Sequence, residues 1–306
     1  MGTELRIGFL STLYHTSHIL REGNWLEKEL GVECRWCLFG TGPEMIQAFE
    51  GDEVDVGYMG LPPFLIGIAR GMSLVCIGGG HVEGTLMVAG SSYSGLGGFD
   101  GVGQVLQQFR RCRVGTPARG SIHDVIFRDL LLRYSCQGVE IINYSWADLI
   151  PNALLKKDIE AAVGTPPLAV LCERECGTHV VIPPGALWPF NPSYGIVARR
   201  GILSETALLE DFLALHERAC NLMRDAPESA AQVAVRALPW LDKGFVRKVY
   251  AISPRYCASL PDPYIRSTME FVPALRRLGY LETSPAPEAI FDTRCINRVH
   301  PGPHHY

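Results

Sequence analysis

Short apolar runs alternate with amphipathic stretches along most of the chain. Residues 5–10, 32–38 and 73–77 have the length of buried strands, and 17–30 carries apolar residues near helical spacing up to Gly31. Alternating strands and helices indicate an α/β protein with parallel sheets and right-handed crossovers. The last third is mostly helical, with predicted helices at 204–225, 227–237, 242–252 and 264–278.

One pattern occurs twice, at 47–63 and at 152–167. Each copy contains the end of an apolar helix, a turn, an acidic residue and a short buried strand that ends in Gly-x-Pro-Pro. Proline is tolerated in the first turn of a helix, and the N–H groups at a helix start can hold a polar or anionic ligand. Two such strand ends in two similar halves predict a ligand cleft between two lobes.

Composition marks the limits of the two lobes. A length of 306 residues suits two domains. The Gly- and Ser-rich segment 91–103 is typical of a loop or crossover, and 183–194 of a Pro/Gly/aromatic loop. We therefore expect one lobe from 1–90 plus 196–306 and a second lobe from 91–195.

Charge and hydropathy exclude two classes of partner. A net charge of −4 without a basic run argues against nucleic-acid binding, and no stretch of 18 apolar residues could span a membrane. The first residues lack the basic start and apolar core of a signal peptide, and ten cysteines show no regular disulfide spacing. We expect a cytoplasmic location, or a periplasmic or cell-surface one if a signal has been removed.

Several short motifs occur in a characteristic order. They are Ile7–Ser11 with His15 and His18, Phe39–Gly42, Val54–Gly57, Ile68–Leu74, Val114–Pro117 with Gly120 and Ser121, and Asp225–Ala231. Together they resemble the substrate-binding proteins of ABC transporters, within these the sulfonate/taurine/nitrate-binding and NMT1/THI5-like group. The resemblance implies a two-lobed periplasmic-binding-protein-like fold of type II with an interlobe ligand cleft. It also implies an ABC permease as a partner.

The same resemblance implies which loop tips face the cleft. The ligand is expected to be a small anionic or polar-headed organic molecule, with no catalytic residue, cofactor or metal. The expected ligand-binding residues are Ser11, Tyr14, His15, His18, Gly40, Thr41, Gly42, Gly60, Leu61, Gly120, Ser121, His123, Thr165 and Tyr194.

Other residues suggest different chemistry. His15 and His18, with His81 and His123 near other tips, could form a metal site, but hydrogen bonding in a polar cleft is favoured. Cys34 and Cys37 have C-x-x-C spacing, yet they fall in a strand where structural thiols are favoured. The C-terminal histidines could bind stray metal, although a disordered tail is favoured; they are His300, His304 and His305.

The alternative function is an enzyme on the same fold. The resemblance includes enzymes of thiamine-pyrimidine synthesis, which carry a CCCFC-type motif and a cofactor-binding lysine; the motif is absent, and no lysine lies between Lys28 and Lys156. It also includes a sulfinate-releasing hydrolase, for which this chain would need a cysteine in the cleft. Cys76 is the nearest candidate and is expected to be buried in a strand. A binding protein is therefore the favoured interpretation, and a scaffold without ligand is the third.

Overall fold

The computed structural model describes residues 4–306 and contains two five-stranded sheets, each in a lobe of its own. The first sheet has the order β2-β1-β3-β10-β4, formed by β1 (Glu4–Leu10), β2 (Glu33–Phe39), β3 (Val56–Met59), β4 (Leu74–Val82) and β10 (Pro192–Arg199). The second has the order β7-β6-β8-β5-β9, formed by β5 (Leu86–Gly90), β6 (Arg113–Pro117), β7 (Glu140–Tyr144), β8 (Ala161–Gly164) and β9 (Thr178–Ile182). The two orders correspond strand for strand, so the predicted α/β fold with two similar halves is confirmed.

The acidic residue of each repeat has the same structural role. Asp55 precedes β3, and its Oδ2 accepts bonds from the backbone N and the Nε of Arg6, both at 2.9 Å. Glu160 precedes β8, and its Oε2 accepts a 2.6 Å bond from the backbone N of Arg113. Arg6 and Arg113 lie in the neighbouring strands β1 and β6. The repeated carboxylate therefore joins the starts of two parallel strands and has no part in a ligand site.

The strands that cross between lobes are antiparallel to their neighbours. β10 runs antiparallel to β3 and β4, and β5 runs antiparallel to β8 and β9. Each enters its sheet from the other lobe and not by a crossover connection from a neighbouring strand of the same sheet, which a parallel pairing requires. The expectation of purely parallel sheets was wrong for these strands.

Sheet membership places the crossings slightly earlier than composition suggests. β5 pairs in the second sheet, although residues up to 90 were expected in the first lobe. β10 begins at Pro192 in the first sheet, before the expected start at 196. The crossings therefore lie at 83–85 and 183–191, and the Gly-rich segment 91–103 follows the crossing strand instead of forming the crossing.

The predicted helices are present with small changes of limits. The expected helix 17–30 is two helices that meet at Asn24, whose φ of 48° is left-handed and interrupts the helical backbone. The helices are α1 (Ser17–Gly23), α2 (Trp25–Leu30), α3 (Gly42–Glu50), α4 (Leu61–Ala69), α5 (Val102–Gln107), α6 (Ile122–Arg133), α7 (Ile150–Leu155), α8 (Pro166–Cys176), α9 (Pro184–Leu187), α10 (Thr206–Asp225), α11 (Pro227–Ala237), α12 (Lys243–Ile252), α13 (Asp262–Arg277), α14 (Pro287–Ile290) and α15 (Arg294–Val299).

The C-terminal segment packs on the protein, so the expectation of a disordered tail was wrong. The hydroxyl of Tyr306 donates to the carbonyl oxygen of Cys257 at 2.5 Å and accepts a 3.1 Å bond from the backbone N of Gly80. The sequence around Tyr306 gives no local sign that its hydroxyl bonds the distant backbone of Gly80 and Cys257. Among residues 4–306, no helix has both the length and the apolar character of a membrane span.

Candidate functional site

A cavity of about 40 Å³ lies between the two sheets and takes its walls from both lobes. This volume holds only a few water molecules, so an organic ligand would require the lobes to move apart. Its walls are Leu10, Thr12, Tyr14, His15, Gly40, Thr41, Gly42, Gly60, Pro63 and Ser193 from the first lobe and Pro117, Ser121, Ile122, His123, Ala147 and Thr165 from the second.

Two glycines bring the lobes into close contact. A Cβ on Gly40 would lie 2.8 Å from Cε2 of Trp146, and one on Gly60 would lie 3.1 Å from Cγ2 of Ile122. At the edge of the cleft, Ser11 Oγ donates to Asp148 Oδ2 at 3.2 Å. These contacts join the first lobe to the second, so the structure represents the lobes closed on each other.

Four helices begin at the cavity, but proline removes many of their N–H groups. In α4 the second and third residues are Pro62 and Pro63, and in α8 the first two are Pro166 and Pro167. Proline has no N–H, so these helix starts keep their dipole and lose their donors. At the first two positions of each helix, N–H groups remain on Gly42, Leu61, Ile122 and His123. The sequence-based expectation that Gly-x-Pro-Pro exposes N–H groups was therefore wrong for α8.

The hydroxyls of the cavity differ in how much they are already used. Ser121 Oγ accepts a 3.3 Å bond from Asp124 N, and Thr165 Oγ1 accepts a 3.4 Å bond from Leu168 N. Both residues are N-caps, and each oxygen satisfies a donor of its own helix. Thr41 also precedes a helix but makes no side-chain cap bond. The Thr41 hydroxyl is therefore not used by its own helix and is available to a ligand.

The histidines at the cavity are neutral near pH 7. Burial lowers the pKa of His123 to about 3, and burial together with neighbouring histidines lowers that of His15 well below its usual value. His123 Nδ1 lies 3.0 Å from Thr85 Oγ1, whereas His15 Nδ1 is buried without a partner among residues 4–306. No lysine or arginine is among the cavity walls described above. The site therefore offers dipoles and hydrogen bonds instead of a fixed positive charge.

One cavity residue also belongs to a network at the crossings. Ser193 Oγ lies 3.0 Å from His81 Nδ1 and accepts a 2.6 Å bond from Gly84 N. His81 Nε2 lies 2.6 Å from the Ser253 carbonyl oxygen, which only accepts, so Nε2 carries the proton and Nδ1 accepts from Ser193. Glu83 N donates to Asn191 O at 2.7 Å, so the two crossings are bonded directly to each other. This network joins β4, β10 and the two crossings to one another.

Nine of the fourteen expected residues line the cavity, and their contact with a ligand stays a prediction. They are Tyr14, His15, Gly40, Thr41, Gly42, Gly60, Ser121, His123 and Thr165. The other seven walls were not among the expected residues; they are Leu10, Thr12, Pro63, Pro117, Ile122, Ala147 and Ser193. Thr12, Pro63 and Ile122 neighbour expected residues, whereas Leu10, Pro117 and Ser193 lie at strand ends and Ala147 in a short turn. The last four are signalled only by where these strand ends and this turn lie once the two sheets face each other.

The other five expected residues lie beside or behind the cavity. Ser11 bonds Asp148, and the Gly120 N–H is used by Asp124 Oδ2 at 2.9 Å. His18 packs edge-on to Phe9, with its ring buried in the first lobe. Leu61 and Tyr194 are buried, with Tyr194 behind His15 at a ring-centroid distance of 4.0 Å. Helix and strand periodicity alone does not separate a cavity wall from the layer behind it.

Comparison with known proteins shows to which family the chain belongs. The profile of the NMT1-like family matches residues 2–238, which is most of the chain. The chain belongs to the NMT1-like family. A comparison with curated protein sequences gave no match.

Solved structures show the same fold as this family member. The ligand-binding component of an ABC-type import system from Staphylococcus aureus, solved with zinc bound, has a TM-score of 0.81 and 13% identity, covering 98% of this chain and 100% of that one. The periplasmic aliphatic sulphonate-binding protein SsuA from Escherichia coli has a TM-score of 0.77 and 15% sequence identity. The match covers 95% of this chain and 92% of that one. The periplasmic nitrate-binding protein NrtA from Synechocystis has a TM-score of 0.76 and 13% sequence identity. The match covers 97% of this chain and 88% of that one. The two-lobed fold implied by the sequence motifs is thereby confirmed.

The cysteines of this NMT1-like chain lie away from the cavity. All ten are unpaired, and none is among the cavity walls. Cys76 is buried in β4, where burial raises the pKa of its thiol to about 12. A thiol with such a pKa is not a nucleophile near pH 7. The sulfinate-releasing alternative therefore gains no support from Cys76.

Proposed function

We propose that the protein binds a small polar-headed organic molecule between its lobes, as the solute-binding component of an ABC-type uptake system or as a ligand-binding relative. The observation that carries this proposal is the interlobe cavity. Its walls come from both lobes, and they include the unbonded Nδ1 of His15 and the uncommitted hydroxyl of Thr41. Buried polar atoms without partners are uncommon, and a ligand that bonds them supplies the missing interaction.

The polar head of the ligand is expected to be neutral or to carry a single negative charge. The helix starts contribute dipoles worth about 0.3–1 kcal/mol each near an anion, but the prolines of α4 and α8 reduce the number of donors. No cation lines the described cavity, and its histidines are neutral near pH 7. A doubly charged anion would lose more hydration than these groups replace. Apolar walls such as Leu10, Pro63 and Ile122 suit a short apolar body.

Binding would couple to rotation of the lobes about the two crossings. The cavity is too small to admit an organic molecule while the lobes touch at Gly40 and Gly60. Opening leaves each sheet intact because only the crossings at 83–85 and 183–191 join the sheets through the backbone. The closed form would then be the one that a permease or another partner recognises.

The test begins with native mass spectrometry of protein purified from its own host, which identifies a retained small molecule. Affinity for that molecule is then measured in Thr41→Leu and Ser121→Leu. Each substitution places a bulky apolar side chain in the cavity and should weaken binding at least about tenfold, or about 1.4 kcal/mol. Thr206→Leu and Ser229→Leu, at exposed positions on α10 and α11, are the matched controls and should bind normally.

Two results would contradict the proposal. Unchanged affinity in both Thr41→Leu and Ser121→Leu would place the ligand elsewhere. If the purified protein converted the retained molecule into a product, the protein would be an enzyme and not a binding protein.

We further infer that the protein resides in a reducing compartment, and we keep the prediction that this compartment is the cytoplasm. Ten unpaired cysteines favour it, since oxidising compartments favour disulfides. The periplasmic proteins of similar fold do not support a cytoplasmic location. Thiol alkylation of the protein in intact cells, followed by mass spectrometry, distinguishes the two: two or more native disulfides would exclude the cytoplasm.

A further inference from the structure

Four side chains with metal-binding atoms converge outside the interlobe cavity. Glu217 lies on α10, Cys257 in the loop between α12 and α13, His300 directly after α15, and His305 near the C-terminus. One ligand atom from each of these residues lies within 4.8 Å of all the others. None of the four lines the cavity described above. The cluster is therefore a separate feature, and the proposed function makes no use of it.

The distances between these atoms are close to those of a tetrahedral metal site. Glu217 Oε1 lies 3.1 Å from His300 Nδ1 and 3.6 Å from His305 Nδ1, and Cys257 Sγ lies 3.9 Å from His305 Nδ1. Around Zn²⁺, with bonds of about 2.0–2.3 Å, neighbouring ligand atoms are roughly 3.3–3.6 Å apart. These pairs differ from that spacing by a few tenths of an ångström. Because one ligand atom from each of the four residues lies within 4.8 Å of the others, an inward movement of the side chains would let them bind one ion.

Surrounding groups already orient the ligands. Ala258 N donates to Glu217 Oε2 at 2.8 Å, which turns the other oxygen, Oε1, toward the cluster. His305 N donates to Cys257 Sγ at 3.4 Å, and backbone N–H groups of this kind stabilise a thiolate. His300 Nε2 lies 2.9 Å from the Pro303 carbonyl oxygen, which only accepts, so Nε2 carries the proton and Nδ1, 3.1 Å from Glu217 Oε1, is the nitrogen with a free lone pair. Such outer contacts are characteristic of built metal sites.

The ligand chemistry selects among metal ions. One thiolate, two imidazoles and one carboxylate suit Zn²⁺ and its spectroscopic substitute Co²⁺, whereas Mg²⁺ and Ca²⁺ prefer oxygen ligands alone. Cys257 and Glu217 are buried and the side chain of His300 is nearly so, which protects most of the site from solvent. His305 is the exposed member through which an ion would enter.

We propose that Glu217, Cys257, His300 and His305 bind one Zn²⁺-class ion that fastens the C-terminal segment to the first lobe. The ion replaces the thiol proton of Cys257, which is released to the solvent. Tyr306 directly follows the ligand His305, and its hydroxyl bonds the backbone of Gly80 in β4, the strand before the crossing at 83–85. The ion thus anchors the last residue against the strand that leads into the second lobe.

The test uses the full chain after treatment with a chelator and a thiol reductant. Titration with Co²⁺ should give the visible bands of a tetrahedral site together with a thiolate-to-Co²⁺ charge-transfer band, saturating at about one ion per chain. Zn²⁺ should displace Co²⁺ and raise the midpoint of thermal unfolding, because it binds only the folded chain.

Substitutions assign the ligands. His305→Gln should lower the Zn²⁺ affinity at least about 100-fold, more than an outer contact contributes. His304→Gln is the matched control, since His304 adjoins His305 but lies outside the cluster, and should change the affinity by less than about threefold. Cys257→Ala should remove the charge-transfer band, whereas Cys172→Ala in the second lobe should keep it.

Three results would overturn the proposal. They are the absence of saturable binding, equal weakening by His304→Gln and His305→Gln, and a charge-transfer band that survives Cys257→Ala. The second would mean that any histidine of the tail binds stray metal. Because His305 is exposed, His305→Gln should fold normally, so a loss of affinity in it reports on the metal and not on unfolding.

Discussion

Arg277 on α13 contacts the carboxylate of Asp129 on α6, with its Nε 3.0 Å and its Nη2 2.5 Å from Asp129 Oδ1. The Asp129 side chain is fully buried, and Arg277 is half-exposed. Helix α6 belongs to the second lobe, whereas α13 also packs on α4 and β10 of the first. The ion pair therefore joins the lobes outside the cavity and stabilises their closed arrangement.

Removal of this arginine should destabilise the protein. Among residues 4–306, Arg277→Ala leaves the buried carboxylate with Arg133 as its remaining ion-pair partner, at 3.7 Å from Oδ2. We expect a loss of about 1–3 kcal/mol in the free energy of unfolding, less than for a fully buried pair because Arg277 is half-exposed. Urea unfolding measures it. Arg276→Ala, one residue away on the same helix, is the control; equal losses in the two variants would show that the pair contributes nothing specific.

Loss of a helix cap at the cavity should reduce stability. Ser121 Oγ accepts the N–H of Asp124, and Ser121→Ala removes this acceptor from the start of α6. The expected loss is about 1 kcal/mol in the free energy of unfolding. Ser229→Ala, at an exposed position of α11 that is not a cap, should change it by less than about 0.5 kcal/mol. Denaturant unfolding measures both free energies. If Ser121→Ala lost no more unfolding free energy than Ser229→Ala, the capping role of Ser121 would be contradicted.

Acid should destabilise the fold through its buried histidines. Burial lowers the pKa of His81 and His123 to about 3 and that of His216 to about 4. The unfolded chain protonates these rings below about pH 6.5, whereas the folded chain keeps them neutral, so acid favours unfolding. Stability should therefore fall from about pH 6.5 toward pH 4, with each histidine contributing up to about 1.4 kcal/mol per pH unit.

A variant isolates one of these histidines. His123→Gln should reduce the slope of unfolding free energy between about pH 5.5 and 4.5 by about one proton. His179→Gln replaces an exposed histidine on β9 and is the matched control. If the two variants gave the same slope, the neutral state of His123 in the folded protein would be refuted.

An added methyl group at Gly40 should keep the lobes apart. In the closed form its Cβ would lie 2.8 Å from the Trp146 ring and 2.9 Å from the Ser145 carbonyl oxygen. Gly40→Ala is therefore expected to lower ligand affinity at least about tenfold and to raise the radius of gyration in small-angle scattering of the ligand-saturated protein. Gly90→Ala is the control, because a Cβ there meets no atom within 4 Å. Full compaction of Gly40→Ala with ligand would exclude this contact as a condition of closure.

Short-range patterns in the sequence predicted much of the fold. Apolar periodicity located the helices that became α10 to α13, and the repeated Gly-x-Pro-Pro located two helix starts at the cavity. These signals extend over one element and its flanking turns, so a single segment contains them. The break at Asn24 was missed because apolar spacing continues across it.

The site was predicted less completely because periodicity does not report which face meets a cavity. His15 and His18 lie one helical turn apart in sequence, yet His15 lines the cavity and His18 packs against Phe9. Ser193 and Ala147 have no motif of their own. Their role comes from the strand end or turn on which they lie once two sheets face each other.

The sequence by itself determined the α/β class, the two similar halves and the membership of the family, since these depend on local patterns and their order. Only the tertiary structure decided which distant groups meet. It placed β5 in the second sheet, paired Arg277 with Asp129, and brought Glu217 and Cys257 to the histidines of the tail. The physical reason is that each of these contacts joins separate segments, and packing of the whole chain alone brings such segments together.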